Sequence, residues 1–291
     1  MLLKEEKDMP YVETEKGISI YYEEYGSGDR YLICTQQSHA SRSLERELVK
    51  HGFHVYLLIN RGFGKSSHLN VDYGDYWYDR FADDVISFAD HMGIDKFVYS
   101  GASHGAGTGW SVVKDHPDRV ICFFAVVPGP HSLDEGRMSF KEMVEKGLIT
   151  LKENEVEISD PALIERREIL KKEMEEVLSS EEYKKYYDVD EVKNLHYGRP
   201  LAYLENEEKL KEVFSQIKTP VLIMGGGNDP ISRNDLMVRS MESLPNCKLV
   251  IYSGFGHGID IYEEMAEEAS RFYDNVVNTG YYYEKIVNQE E

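Results

Sequence analysis

Cysteine is scarce in this chain. The three present, Cys34, Cys122 and Cys247, stand at no spacing that would form a disulfide framework or a paired-cysteine metal site. Each falls in or beside a predicted strand, so buried core thiols are the expected role. Basic residues are outnumbered, 33 against 53 acidic, and the formal net charge of -20 opposes phosphate backbones and anionic lipid surfaces. Nucleic-acid and membrane partners are therefore not expected. No run approaches the roughly 20 apolar residues of a membrane span, and the opening Met-Leu-Leu-Lys-Glu-Glu-Lys-Asp is too short and too acidic for a signal peptide. A cytoplasmic location is the default expectation. Internal repeats and low-complexity blocks are also missing.

What remains is the composition of an ordinary globular protein: 291 residues, 41% hydrophobic and 30% charged. The length suits one large domain, or one domain carrying an insertion. Ile18 to Tyr25 alternates apolar with polar residues before the turn cluster Gly26-Ser27-Gly28-Asp29, and Tyr31 to Cys34 follows as a short strand. The two are expected to pair as a hairpin. Ser43 to His51 reads as a helix stopped by Gly52, and His54 to Ile59 as a buried strand, so this strand-helix-strand unit predicts a parallel pair. Phe81, Val85, Phe88 and Met92 mark one face of a helix over Tyr76 to His91.

The strand Lys96 to Tyr99 leads into Gly101-Ala102-Ser103-His104-Gly105, a helix runs on to about Lys114, and Ile121 to Val127 has the uninterrupted apolar character of a central parallel strand. From 131 to 215 charged residues dominate and β-branched runs vanish; Ile164 to Leu178 and Tyr203 to Phe214 look like amphipathic helices. This stretch is expected to be a helical insertion, dividing a core of 1–130 and 216–291. The alternation resumes with a strand at Pro220 to Met224, a helix at Asn234 to Leu244, a strand at Lys248 to Tyr252 and a closing helix at Tyr262 to Val277. Alternation of this kind predicts an α/β fold, a mostly parallel central sheet covered by helices on both faces. Ligand chemistry in such sheets gathers at the carboxyl ends of the strands.

Three loops at those ends carry chemistry: the Ser103 pentapeptide, Gly225-Gly226-Gly227-Asn228-Asp229, and Gly254-Phe255-Gly256-His257-Gly258. A serine Oγ is exposed at a sharp strand-to-helix turn only if small residues lie two positions to either side, as Gly101 and Gly105 do. A neutral hydroxyl is a poor nucleophile and needs a base within reach, held in turn by a carboxylate. Asp229 and His257 meet that need. Asp235, Asp260, Asp134 and Glu135 compete with Asp229 as the acid, but none occupies the same strand-end position.

With these residues the chain resembles the α/β-hydrolase family, whose triad follows the order Ser, Asp or Glu, His. The resemblance spans roughly residues 11 to 278. It rests also on the Arg61-Gly62-Phe63-Gly64-Lys65-Ser66 loop and on Asp118-Arg119-Val120 before the next strand. It implies Ser103 as nucleophile, His257 as base and Asp229 as acid, with the 131–215 insertion as a lid over the site. Two departures from the family pattern stand out. The family usually has His-Gly after its third strand, where this chain reads Thr35-Gln36-Gln37-Ser38-His39, and Asn60 replaces a common Asp. By position the oxyanion donors are the N–H groups of Gln37 and His104, with a Gln36 or Gln37 side-chain amide as the alternative. Gln36, His39 and His131 are candidate pocket residues, and tyrosines 186, 187, 197 and 203 are candidates on the lid.

A serine at the elbow, rather than the aspartate of dehalogenases and epoxide hydrolases of this fold, argues for acyl transfer. The resemblance therefore implies a hydrolase of a small carboxylic ester or lactone, needing no cofactor and no metal. Its partner would be a small-molecule substrate, with a homo-oligomer left open. Carbon–carbon bond hydrolases of the same fold share the triad and lid. From another class, a binding protein that keeps the triad but turns over little would also fit the altered oxyanion loop. The segment His-Gly-Gly-Pro-Gly, typical of proline iminopeptidases, is missing, which ranks peptidase activity lower.

Overall fold

A computed structural model describes residues 10–37, 43–69, 71–129, 146–147 and 161–279. Eight strands form a single sheet: β1 (Tyr11–Glu15), β2 (Ile18–Tyr25), β3 (Arg30–Gln36), β4 (Phe53–Ile59), β5 (Phe97–Ala102), β6 (Val120–Val126), β7 (Val221–Gly226) and β8 (Cys247–Tyr252). Their order across the sheet is β1-β2-β4-β3-β5-β6-β7-β8. The β1–β2 and β2–β4 pairs are antiparallel and every other pair is parallel. The α/β class and the parallel β3–β4 pair are as the sequence predicts.

The expected hairpin of β2 with β3 does not form. β4 lies between them, with Tyr25 opposite Val55 on one side and Leu32 beside Val55 on the other. β4 is apolar almost throughout, as suits a strand flanked on both sides, and Gly26 instead packs against the Phe53 backbone as the chain crosses over. The strand β1, which the sequence reading lacks, covers the outer edge of β2.

Pleating sends alternate residues to opposite faces. Ile33, Phe97, Tyr99, Phe123 and Ala125 point to one core layer, under α2 (Trp77–His91), α3 (His104–Asp115), α7 (Glu207–Gln216) and α8 (Asn234–Ser243). Leu32, Cys34, Val98, Phe124 and Val126 point to the other, under α1 (Leu44–Leu48) and α9 (Tyr262–Thr279). Cys34 and Cys122 are buried free thiols and Cys247 is half-buried.

Between β6 and β7 the described residues also form α4 (Pro161–Ser179), α5 (Glu181–Tyr186) and α6 (Asp190–Lys193). α7 starts at Glu207 rather than Tyr203 because the Asn206 side chain caps it, accepting from the Lys209 N–H at 3.0 Å. Tyr203 instead lies flat against Tyr76, ring centroids 5.1 Å apart. Most of 131–160, with His131, Asp134 and Glu135, lies outside the described residues, as do His39 and the tail from 280.

Candidate active site

Ser103 is the single residue between the end of β5 and the start of α3, at φ 51° and ψ -109°. A non-glycine residue in that region stores about 1–3 kcal/mol of strain. The flanking glycines make it tolerable: a Cβ on Gly101 would collide with the Gly105 backbone, and one on Gly105 would sit 2.6 Å from the Thr35 carbonyl oxygen. The Ser103 N–H donates to the Val126 carbonyl at 2.9 Å, which ties the turn to the next strand and leaves the hydroxyl outward.

The loops after β7 and β8 pack backbone against backbone. A Cβ on Gly226 would strike the Phe255 and Gly256 carbonyls, and the Asn228 N–H donates to the Phe255 carbonyl at 2.9 Å. That contact brings Asp229 to His257. His257 Nδ1 lies 2.8 Å from Asp229 Oδ2, and His257 Nε2 lies 3.0 Å from Ser103 Oγ. Asp229 is 5% exposed, and its Oδ1 accepts from the backbone N–H groups of Ile231 at 2.7 Å and Ser232 at 2.9 Å. Three N–H groups thus converge on one acceptor-only carboxylate, which assigns the Nδ1–H tautomer and leaves Nε2 free to accept from the serine. The two rival acids nearby are engaged elsewhere, Asp235 with Arg233 and Asp260 with Arg167.

Ser232, which the sequence reading passes over, closes the acid loop. Its hydroxyl donates to the Val127 carbonyl at 2.7 Å, and Val127 is itself held at φ 41° despite its β-branched side chain. The signal was available in the spacing: an Asp accepting from N–H groups two and three residues on is an Asx turn. The turn chemistry of Asn228-Asp229-Pro230 and the orientation of His257 are two uses of one side chain.

A cavity of about 300 Å³ opens over Ser103 and His257, with Gln36, Gln37, His104 and Glu45 also in its wall. Gln36 Oε1 and Gln37 Nε2 are buried without a hydrogen-bond partner among the described residues. The His104 imidazole takes a larger part than a residue at a helix start suggests. Its Nδ1 lies 2.5 Å from the Tyr78 hydroxyl and its Nε2 lies 3.0 Å from the Tyr197 hydroxyl. Burial pushes both phenols above the usual tyrosine range. None of the tyrosines 186, 187, 197 and 203 is among the described residues lining the cavity. Tyr187 packs over Gly64, where a Cβ would collide with its ring, and Tyr203 stacks on Tyr76. Among the described residues no group of three or more His, Cys, Asp or Glu side chains could hold a metal ion, and no helix is long and apolar enough to cross a membrane.

A model of the alpha/beta hydrolase fold family matches residues 34–263. The chain belongs to that family. It is 23% identical over 285 residues to a bifunctional esterase/perhydrolase of Acinetobacter calcoaceticus, covering 88% of this chain and 95% of that one. Among solved structures it resembles an N-acyl homoserine lactone degrading enzyme, at TM-score 0.61 and 22% identity over 90% of this chain and 97% of the other. It also resembles the 2-hydroxy-6-oxo-6-phenylhexa-2,4-dienoate hydrolase of Rhodococcus sp. strain RHA1, at TM-score 0.62 and 16% identity over 91% and 97%. At these identities the likeness is one of fold.

Proposed function

We propose that this α/β hydrolase is a serine hydrolase that cleaves a small carboxylic ester or lactone through an acyl-enzyme. The observation that carries the reading is the Ser103 Oγ, His257 Nε2, His257 Nδ1, Asp229 Oδ2 chain at 3.0 and 2.8 Å. In this scheme His257 takes the hydroxyl proton as Ser103 Oγ attacks the carbonyl carbon. The carbonyl oxygen becomes an oxyanion held by the Gln37 and His104 backbone N–H groups. Collapse of the tetrahedral intermediate expels the alcohol, which receives the proton from His257. Water, deprotonated by His257, then attacks the acyl-enzyme and regenerates Ser103. Asp229 stays a carboxylate throughout and keeps Nε2 as the acceptor. The 131–215 segment serves as the cap; its Leu195 and Tyr187 sit over Gly62 and Gly64, and its Tyr197 reaches His104.

An esterase-named relative and a lactone-degrading structural neighbour support the ester or lactone reading. The fold likeness to the dienoate hydrolase supports carbon–carbon bond hydrolysis as the second reading. The test is labelling with a fluorophosphonate probe, followed by assay of short acyl esters, lactones and a 2-hydroxy-6-oxo-dienoate. Labelling of wild type and not of Ser103→Ala, with turnover of esters or lactones, is expected. An unlabelled wild type overturns the activated serine; turnover of the dienoate alone overturns the ester assignment.

A further inference from the structure

The cavity beside Ser103 contains an acid that the hydrolytic scheme does not use. Glu45 sits in the first turn of α1, whose Ser43 cap and apolar Leu44 and Leu48 pull the helix down onto the sheet, and it is only 3% exposed. Its Oε1 accepts from the buried Ser100 hydroxyl at 2.7 Å, two positions before Ala102 on β5. Among the described residues that is its single hydrogen bond, and no Lys, Arg or His forms an ion pair with it. The adjacent Arg46 turns away, its Nη2 donating to Glu23 Oε2 at 3.1 Å and to the Tyr25 hydroxyl at 2.5 Å, with the guanidinium over the Tyr25 ring. Two neutral groups lie beside Glu45 as well: Cys34, whose thiol burial pushes well up with Glu45 adding to the rise, and Tyr99. Tyr262 and Met265 from α9 also line the cavity.

A carboxylate taken out of water without a counter-charge carries a large desolvation penalty, and buried acids are ordinarily paired. Among the described residues Glu45 is paired only with a hydroxyl, yet it borders a cavity that also reaches Ser103 and His257. We infer that Glu45 is a specificity-determining residue of this site, and that the substrate carries a protonated amine whose ammonium group completes the pair. The inference rests on the serine-hydrolase reading, since it places the amine within one cavity's reach of the attacked carbonyl. An ammonium supplies both the missing positive charge and N–H donors for the second oxygen. A site built around such a partner disfavours an analogue that lacks it, because the acid is then left at the cavity wall without a counter-charge. The net charge of -20 acts in the same direction on cationic substrates approaching from solution.

Two alkylboronic acids of matched size test this, since each adds reversibly to an activated serine oxygen: n-butylboronic acid and 3-aminopropylboronic acid. The readout is the concentration of each that half-protects Ser103 from fluorophosphonate labelling. Wild type should be protected by the amine at a roughly ten- to hundredfold lower concentration. In Glu45→Gln, which keeps the shape and an acceptor for Ser100, that ratio should fall to within about threefold. Equal protection by the two compounds in wild type, or a ratio unchanged in Glu45→Gln, overturns the inference. The wild-type ratio decides the matter by itself if the variant does not fold. Labelling without amine preference overturns this inference alone, whereas a wild type that is never labelled overturns the hydrolase reading and this with it.

Discussion

On one flank of Ser103, formed by the loops after β7 and β8, the polar atoms of the site are paired with one another. Asp229 receives three N–H groups, His257 bridges it to Ser103, and the Ser232 hydroxyl closes onto Val127. On the other flank, formed by the end of β3 and the start of α1, Gln36 Oε1 and Gln37 Nε2 are buried with no partner among the described residues, and Glu45 has only Ser100 among them. The contrast teaches where organisation is invested. On the proposed mechanism, the groups that move a proton are held before anything binds, because reorganising them during the reaction would raise the barrier. On the amine reading, the partner of Glu45 arrives instead with the ligand.

The paired flank is the place to expect the largest effects. Ser103→Ala should lower kcat/KM roughly 10⁴- to 10⁶-fold in an ester assay, with any remainder due to binding and the oxyanion donors. Ser103→Gly should be equally inactive and yet more stable, by about 1 kcal/mol in urea unfolding, since glycine relieves the φ of 51°. A loss of stability in Ser103→Gly would mean that the turn is not strained. Next comes Asp229→Asn. The amide donates where the carboxylate accepted, so His257 flips to the Nε2–H tautomer and cannot take the serine proton; kcat should fall roughly 10⁴-fold. A fall below about tenfold would show that His257 is oriented by something else.

The paired flank is also the one the sequence makes readable. Gly101 and Gly105 are legible because only a missing Cβ fits against the Gly105 backbone and the Thr35 carbonyl, and Asp229 and His257 because they close the apolar runs of β7 and β8. Strand direction within β3, α1 and β4 follows from local alternation. The neighbour of β2 does not, because β4 is more than 25 residues away in sequence and pairing at that range depends on global packing. Tyr78 and Tyr197 are hidden for the same reason: one imidazole gathers two phenols 26 and 93 residues away. Glu45 reads as an ordinary acidic residue in a first helical turn until the depth of α1 against the sheet is known.

The open flank can be sharpened at Gln37. If its backbone N–H serves the oxyanion, Gln37→Ala should change kcat by less than about tenfold, since truncation spares the main chain. If the unpartnered side-chain amide serves instead, kcat should drop by about 10²- to 10³-fold with KM little moved. The kcat-against-KM split therefore distinguishes an oxyanion donor from a pocket wall.

The smallest expected effect lies at Tyr197. Tyr197→Phe deletes the hydroxyl 3.0 Å from His104 Nε2 and keeps the ring packed edge-on to that imidazole, centroids 4.7 Å apart. Losing one partly buried hydrogen bond should lower stability by about 0.5–1.5 kcal/mol. Because the His104 main chain is fixed by the start of α3 rather than by its side chain, kcat should fall only a few-fold. A much larger fall in kcat at unchanged stability would mean that the cap tyrosine acts on the reacting atoms through His104. The proton-moving flank would then extend through Tyr197 into the cap, and the division between a finished and an open side of Ser103 would fail.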